Sequence, residues 1–532
     1  MHKHSRERFG KVDVERRQFL RKVGTGAATA WAIGTLGVPP ARAASGDPSN
    51  GRREEHFEGD NFGRMFRLAP FAAATDTVRA ALTELGQAGG ILDAKDDLAK
   101  GPILLITDLT LSNGNRNNPE HTAGTTFMGQ FLDHDMTFDQ TTRLGIPAVP
   151  NKSPNARIPI FDLDSVYGGG PADSPNLYST TDRIKFLIES GGLFEDVPRN
   201  PTTKAAIIAD PRNDENMMIS GLQAALLKFH NNAIDLVRAQ QPRINNYNAF
   251  HRARKLAIWH YQWMILHEFL PLFVGQPMVD TILKGGRKFY RPREEPFIPV
   301  EFQIGYRFGH SMIRPSYRAN LGGDNSKPFF GMIFEPAGEG QTDPIDLRGG
   351  ARAPRRFIGW QTFFKFPGFD GDVRLNKRID TKISTPLFNL PLQTIFDGNP
   401  PVSLMTRNLL RTLTWQLPSG QAIAKAMGVP QLSNSDLAEL KAFLPSFVDS
   451  TPLFYYILKE AELMEDGLRL GPVGGRIVAE VFIGLLQLDD DSYLNAERKW
   501  RPTLPTFGGT PESFRMIDFL KFAGVDPATR GQ

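Results

Sequence analysis

The sequence predicts a large, mainly α-helical protein with little β structure and long irregular loops. Ile219, Leu222, Leu226, Phe229, Ala233 and Leu236 recur at the helical period, and Leu256, Trp259, Trp263, Leu266 and Leu270 repeat at 3-4-3-4 spacing. Each stripe describes the buried face of one long helix. Residues 315–400, rich in Gly, Pro and Phe, read instead as extended irregular structure. No internal repeat or low-complexity tract interrupts the chain.

Composition bounds the function. Lys+Arg 62 against Asp+Glu 58 leaves +4 over 532 residues, too small and too scattered a charge to predict nucleic-acid binding. Phe 38 against Tyr 10 makes the aromatics mostly pure hydrophobes, suited to a dry interior or an apolar cofactor pocket. Cys 0 excludes disulfides, thiolate metal sites and cysteine nucleophiles.

Residues 1–43 read as an address. Arg16-Arg17 with Phe19-Leu20 precedes a small and apolar stretch from Val23 to Val38, and Ala41-Arg42-Ala43 offers a small-x-small cleavage site. The segment looks like a twin-arginine signal, which carries folded bacterial proteins across the inner membrane to the periplasm or beyond. It is too short and too rich in Gly and Thr to span ~30 Å of hydrocarbon well, so no stable membrane span is expected after its removal. Residues 44–109 read as an N-terminal arm packed on the main body, with no visible chemistry.

The stretch Phe127 to Phe138 mixes polar and apolar groups in a way that folding alone does not call for. In a helix Gln130 and His134 lie one turn apart on one face, beside the pair Phe127 and Phe131, while Asp133 and Asp135 flank the histidine. Thr125 is a candidate cap for that helix. Next, Arg157 to Gly170 carries carboxylates at the alternate positions Asp162 and Asp164. Such alternation aims side chains and intervening carbonyls at one centre, which suits a hard cation that takes about six to eight oxygens.

Asp210-Pro-Arg-Asn-Asp-Glu215 stands at the entrance of the first striped helix. Acidic residues there complement the helix dipole, but Arg212 does not. His230, His260 and His267 read as hydrogen-bonded core or rim residues, and Pro271 is expected to end the second striped helix. Farther on, Gly309 precedes His310, and Asn408 lies in Leu404 to Arg411.

Gly129-Gln-Phe-Leu-Asp-His-Asp135 resembles the distal motif of the animal-type haem peroxidases, the superfamily that also holds cyclooxygenases and fatty-acid dioxygenases. Arg212-x-x-Glu215, Arg307-Phe-Gly-His310-Ser and the Asn408 segment follow in the family's order, so the resemblance covers about residues 110 to 525. It implies a single helical haem-peroxidase domain over 110–532, in an exported bacterial member. His134 is then the proton shuttle, Arg212 the stabiliser of leaving-oxygen charge, and Gln130 the holder of a water, peroxide or halide. The haem b iron takes His310 as axial ligand, and Asn408 accepts that ring's other N–H. Asp133 and Glu215 match the carboxylates that esterify haem methyls, whereas Asn216 stands where some members carry a haem-linked methionine, so no sulfonium link is expected.

The resemblance also implies calcium, bound by Asp135, Asp162, Asp164 and the carbonyls of Ile158 and Ile160. Ile158 replaces the family's usual threonine there, and Asp164 a frequent serine. A second departure is Thr414-Trp-Gln-Leu417, which replaces a usual Arg-Asp-His-Gly run. The implied activity is reduction of hydrogen peroxide with oxidation of a small donor, whether halide, thiocyanate or aromatic. Two alternatives are a haem-dependent fatty-acid dioxygenase and a secreted calcium-binding adhesion protein on the same fold. The dioxygenases carry a tyrosine three residues before the proximal histidine, where this chain has Arg307.

Overall fold

Two long helices lie side by side at the centre of the molecule, and their first residues explain where they begin. In the computed structural model, Met217–Gln240 starts on Asn216, whose side chain accepts the Ile219 N–H, and Asn246–Met264 starts on Asn245, which accepts the Asn248 N–H. The structure describes residues 61–530 apart from 190–193, 294, 324–325, 351–352 and 396. The twin-arginine reading of residues 1–43 therefore lies outside the described residues. Ile219, Leu222, Leu226, Phe229 and Ala233 are buried as their period requires, with Leu236 half-buried at the rim.

Pro271 does not end the second helix. After Met264 the chain widens into a π-helical turn, Ile265–Phe269, and resumes as Leu270–Val274 with Pro271 in its first turn. The wide turn resets the hydrogen-bond register, so proline falls where its missing N–H is not needed. Gly275, at φ 79°, makes the stop. His230, His260 and His267 are held by Tyr167 and Ile184, by Leu256 and Thr503, and by Tyr493, respectively, in agreement with their reading as structural residues.

β structure is confined to two small antiparallel ribbons among the described residues. Strand β1 (Asn117–Thr122) pairs with β4 (Leu375–Lys377), and β2 (Ser316–Asn320) with β3 (Phe329–Met332). Three of these strands fall in the interval expected to be irregular, most of which is loop and short 3-10 turn. The fold is thus mainly helical with little β, as the sequence predicts.

Helices Val300–Gly305, Leu453–Met464 and Pro472–Leu488 close the core around Phe482. Its ring lies 5.2 Å from Phe161, 5.6 Å from Phe269 and 5.3 Å from Tyr306, so the loop after residue 157, the π turn and the segment before His310 share one hydrophobic centre. The N-terminal segment is seated on this body by backbone. Phe62 N–H donates to Ser153 O, Gly63 N–H to Ile298 O, and the buried Glu301 carboxylate accepts the Met65 and Phe66 N–H groups. A side chain at Gly63 would meet the Phe297 ring at 2.2 Å, so only glycine allows that approach. The run Thr414 to Leu417 serves the same packing: Trp415 O accepts Arg64, and Leu417 O accepts the Phe71 N–H. No helix of the described residues is long and apolar enough to cross a membrane.

Candidate active site

His134 lies near the end of helix Gly124–Met136, on a buried face that includes Phe127 and Phe131. Thr125 is not its cap. It sits inside the first turn, where its hydroxyl donates to Thr122 O and lies 2.7 Å from His121 Nδ1. The helix start has no side-chain cap; the Gly124 N–H instead donates to Phe363 O.

Asn213 fixes the His134 ring. Its Oδ1 is 2.8 Å from His134 Nδ1, while its own Nδ2 donates to Gln223 Oε1 at 2.9 Å. An amide oxygen only accepts, so Nδ1 carries the proton and Nε2 keeps its lone pair. Burial, reinforced by the Arg212 charge, pushes the His134 pKa down to about 3, so the ring is neutral at ordinary pH. Nε2 makes no hydrogen bond among the described residues.

Gln130 lies one turn back, as the spacing predicts, with both ends of its amide engaged. Nε2 donates to Glu215, and Oε1 accepts Asn216 Nδ2 at 3.2 Å. One Nε2 hydrogen remains for a guest molecule. Burial raises the Glu215 carboxyl to about 7.

Arg212 is more constrained than the sequence suggests. Its Nε and Nη2 donate to Asp210 at 3.1 and 2.8 Å, Nη1 to Thr137 O at 2.8 Å, and Nη2 also to His134 O at 3.0 Å. Of the five N–H groups of a guanidinium, one on Nη1 remains. That nitrogen is 4.0 Å from Asp133 Oδ2.

His310 occupies the 3-10 segment Tyr306–Met312, tied to the His134 helix by the Tyr306 hydroxyl, which donates to Gly129 O at 2.9 Å. Asp133 lies within electrostatic reach of both Arg212 and Arg307, so groups from the two segments converge. Asn408 meets His310 as expected, but with a different polarity. Its Oδ1 accepts from Arg307 at 3.0 Å, and its Nδ2 faces His310 Nδ1 at 2.8 Å. The charged guanidinium is the stronger donor and takes the oxygen. Burial, then the Arg307 charge, push the His310 pKa down to about 3. Its Nε2, like that of His134, has no hydrogen-bond partner among the described residues. Beside it, a Cβ at Gly309 would find no atom within 4 Å.

Asp135, Asp162 and Asp164 come together with ligand oxygens within 4.8 Å of one another. Leu163, at φ 59°, turns the loop so that its N–H donates to Asp135 Oδ2, while the Ser165 hydroxyl donates to Oδ1. Burial and the two neighbouring carboxylates push the Asp135 carboxyl well up. Arg254 pairs with Asp162 at 3.0 Å, and Arg157 approaches Asp164 at 3.5 Å. Oδ1 of Asp164 is buried with no hydrogen-bond partner. An orphaned carboxylate oxygen beside two further carboxylates would suit a hard cation. The Ile158 carbonyl accepts the Ile160 N–H at 2.8 Å, and the Ile158 N–H approaches Asp164 Oδ2 at 3.5 Å. At Ile158 the backbone thus reaches the carboxylates by its N–H, while its carbonyl is engaged within the loop.

Sequence reasoning did not single out Asn213, Asp210, Arg157 or Arg254. Asn213 and Asp210 stood inside the charged cluster around Arg212, and Arg157 directly precedes the loop. Arg254 left no signal, because its partner Asp162 is 92 residues away.

Comparison with known proteins places this chain by sequence and by fold. Residues 149–337 match the family model described as animal haem peroxidase, a span that includes the carboxylate loop, Arg212, Glu215 and His310. Human eosinophil peroxidase is 26% identical over 356 residues, 60% of this chain and 46% of that protein. Mouse myeloperoxidase is 24% identical over 308 residues, 52% of this chain and 39% of that protein. The chain thus spans less than half the length of these curated relatives. In fold it is similar to peroxidase A from Dictyostelium discoideum, with a TM-score of 0.54 at 17% identity over 76% of this chain and 85% of that one. A fatty acid alpha-dioxygenase from Oryza sativa gives 0.54 at 14% identity, over 86% and 78%. Over the segment that carries the candidate site this chain is thus similar in sequence to the animal haem peroxidases, and in fold to solved peroxidase structures.

Proposed function

We propose that this protein is a haem peroxidase that reduces hydrogen peroxide and oxidises a small external donor, a halide, thiocyanate or an aromatic. The observation that carries the reading is a pair of neutral histidines on adjacent segments, His134 and His310, each with Nδ1 engaged by an asparagine and Nε2 unengaged. His310 would hold the haem iron in this proposal, which requires its ring proton on Nδ1 and hence the Asn408 amide turned to present its oxygen there, and the open space at Gly309 lets a flat macrocycle approach. Haem b, when bound, supplies an iron centre that takes up the oxidising equivalents of peroxide.

The chain's own residues then handle the proton and the charge. His134 Nε2 takes a proton from one peroxide oxygen and returns it to the other, which leaves as water. The remaining Nη1 hydrogen of Arg212 stabilises negative charge on the departing oxygen, and the remaining Gln130 hydrogen orients the peroxide. Asp133 and Glu215 are the carboxylates that would form ester links to the haem. Asp135, Asp162 and Asp164 would hold calcium, which would tie the loop to the His134 helix.

The dioxygenase reading is weaker, because Arg307 holds the position of the radical-forming tyrosine and the neighbouring Tyr306 hydroxyl is committed to Gly129 O. One absorption spectrum of the haem-loaded protein, recorded before and after one equivalent of peroxide, tests the proposal. A Soret band that shifts with peroxide and returns on adding donor is expected. Haem that is not taken up, or a band indifferent to peroxide, would leave the fold without this activity.

We also propose export by the twin-arginine route, read from Arg16-Arg17 and Ala41-Arg42-Ala43. Replacing both arginines by lysine should strand the precursor in the cytoplasm. Normal export of that variant would end this part of the reading.

A further inference from the structure

We infer that Asp210 and Arg157 are positioning residues that hold the Arg212 guanidinium, and through it the last turn of the His134 helix, in the geometry the peroxide reaction needs. The inference rests on the haem-peroxidase reading above. Asp210 is fully buried. It receives two guanidinium groups: Arg212 forks across both oxygens, through Nε to Oδ1 at 3.1 Å and Nη2 to Oδ2 at 2.8 Å, and Arg157 donates from Nε to Oδ2 at 2.8 Å with its Nη2 2.6 Å from the same oxygen. The Arg212 backbone N–H adds a fifth contact at 2.9 Å. Burial alone would favour the neutral acid, but Arg157 and Arg212 outweigh it and hold the carboxyl far below its usual range.

A fork fixes a guanidinium in its plane, whereas single bonds to carbonyls let it rotate. Arg212 bonds His134 O and Thr137 O, the carbonyls at the open end of the His134 helix, and its planar group lies 4.0 Å over the Phe138 ring. Asp210 therefore sets the plane of Arg212, and that plane aims both the helix end and the remaining Nη1 hydrogen. Arg157 does not bond Arg212. It balances the charge of a carboxylate that would otherwise be shared by one cation, and its Nη1 lies 3.5 Å from Asp164 Oδ2. A continuous polar path thus runs from the carboxylate cluster through Arg157, Asp210 and Arg212 to the backbone of His134.

The test is a double-mutant cycle on the haem-loaded chain, reading the second-order rate constant with hydrogen peroxide separately from the KM for donor. Asp210→Asn keeps the shape but turns one acceptor into a donor facing a guanidinium, and should slow the peroxide step by about 10- to 100-fold. The resting Soret band and the donor KM should not move. Asp210→Asn combined with Arg212→Ala should be no slower than Arg212→Ala alone, because one acts through the other. A parent-like rate in Asp210→Asn, or losses that multiply in the double variant, would overturn the inference.

Should Asp210→Asn fail to fold, Arg157→Gln carries the test. It leaves the Arg212 fork in place and should slow the peroxide step by roughly tenfold; a parent-like rate would refute the role of Arg157 and the path. A readout without haem separates this inference from the peroxidase reading. In the unloaded chain, amide hydrogen exchange over residues 134–138 should quicken in both variants. If the parent itself ignores peroxide, the peroxidase reading fails, and unchanged exchange would reject the positioning role as well.

Discussion

His310→Ala is expected to lose haem or hold it weakly with an altered spectrum before any peroxide is added, because it removes the proposed axial ligand. His134→Ala leaves that ligand and the Asn408 contact untouched. It removes only the Nε2 lone pair that Asn213 keeps available, so haem should stay while the peroxide step slows by about 10²–10⁴-fold, the usual worth of general acid–base catalysis. Both rings are neutral well below pH 7, so neither effect should depend on setting a protonation state first. Absorption spectra of the two purified variants, followed by stopped-flow mixing with peroxide, separate the cases. The opposite pattern, haem lost in His134→Ala and retained with full turnover in His310→Ala, would exchange the two roles. Parent-like behaviour in both would make these histidines part of the core only.

The second large effect concerns the carboxylate cluster, where the cost of a mutation should depend on metal. Asp135, Asp162 and Asp164 crowd three carboxyl groups within 4.8 Å, with Arg254 on Asp162 and Arg157 near Asp164. Bound calcium at a hundredfold its dissociation constant should add about 2.7 kcal/mol of stability, and a chelator should remove it. Because Asp135 also anchors the His134 helix to Leu163 and Ser165, the haem spectrum should change along with the melting temperature. Asp135→Asn should abolish the calcium-dependent increment. It should cost less in chelator, since burial and the two neighbouring carboxylates already push the Asp135 carboxyl toward its neutral form, which an amide imitates. Differential scanning calorimetry of both proteins with calcium and with chelator reads the difference. A melting temperature indifferent to calcium, with no metal found by elemental analysis, would leave an acidic turn held by Arg157 and Arg254.

Much of the helical framework was legible because helix faces are written in short-range spacing. The stripes from Ile219 to Ala233 and from Trp259 to Leu270 are buried as their periods require, and Gln130 and His134 share a face one turn apart. Alternation likewise aimed Asp162 and Asp164 at one centre, the family resemblance added Asp135, and the structure brings the three together. Local rules failed where a neighbour in space outbid a neighbour in sequence. Thr125 is a plausible cap by position, yet its hydroxyl is drawn to Thr122 O and His121. Pro271 is a stop signal that the π turn Ile265–Phe269 disarms.

By itself, then, the sequence determined which residues stand on each helix face and in what order the histidines, the arginine and the carboxylates are delivered. Period and alternation are properties of a few consecutive residues. Only the tertiary structure decided which polar group meets which. Asn213 reaches His134 across 79 residues, Arg157 reaches Asp210 across 53, and Arg307 takes the Asn408 oxygen across 101. A buried donor or acceptor left unpaired costs about 1–3 kcal/mol, so each must find a partner among whatever packing brings near, and packing is a property of the whole chain.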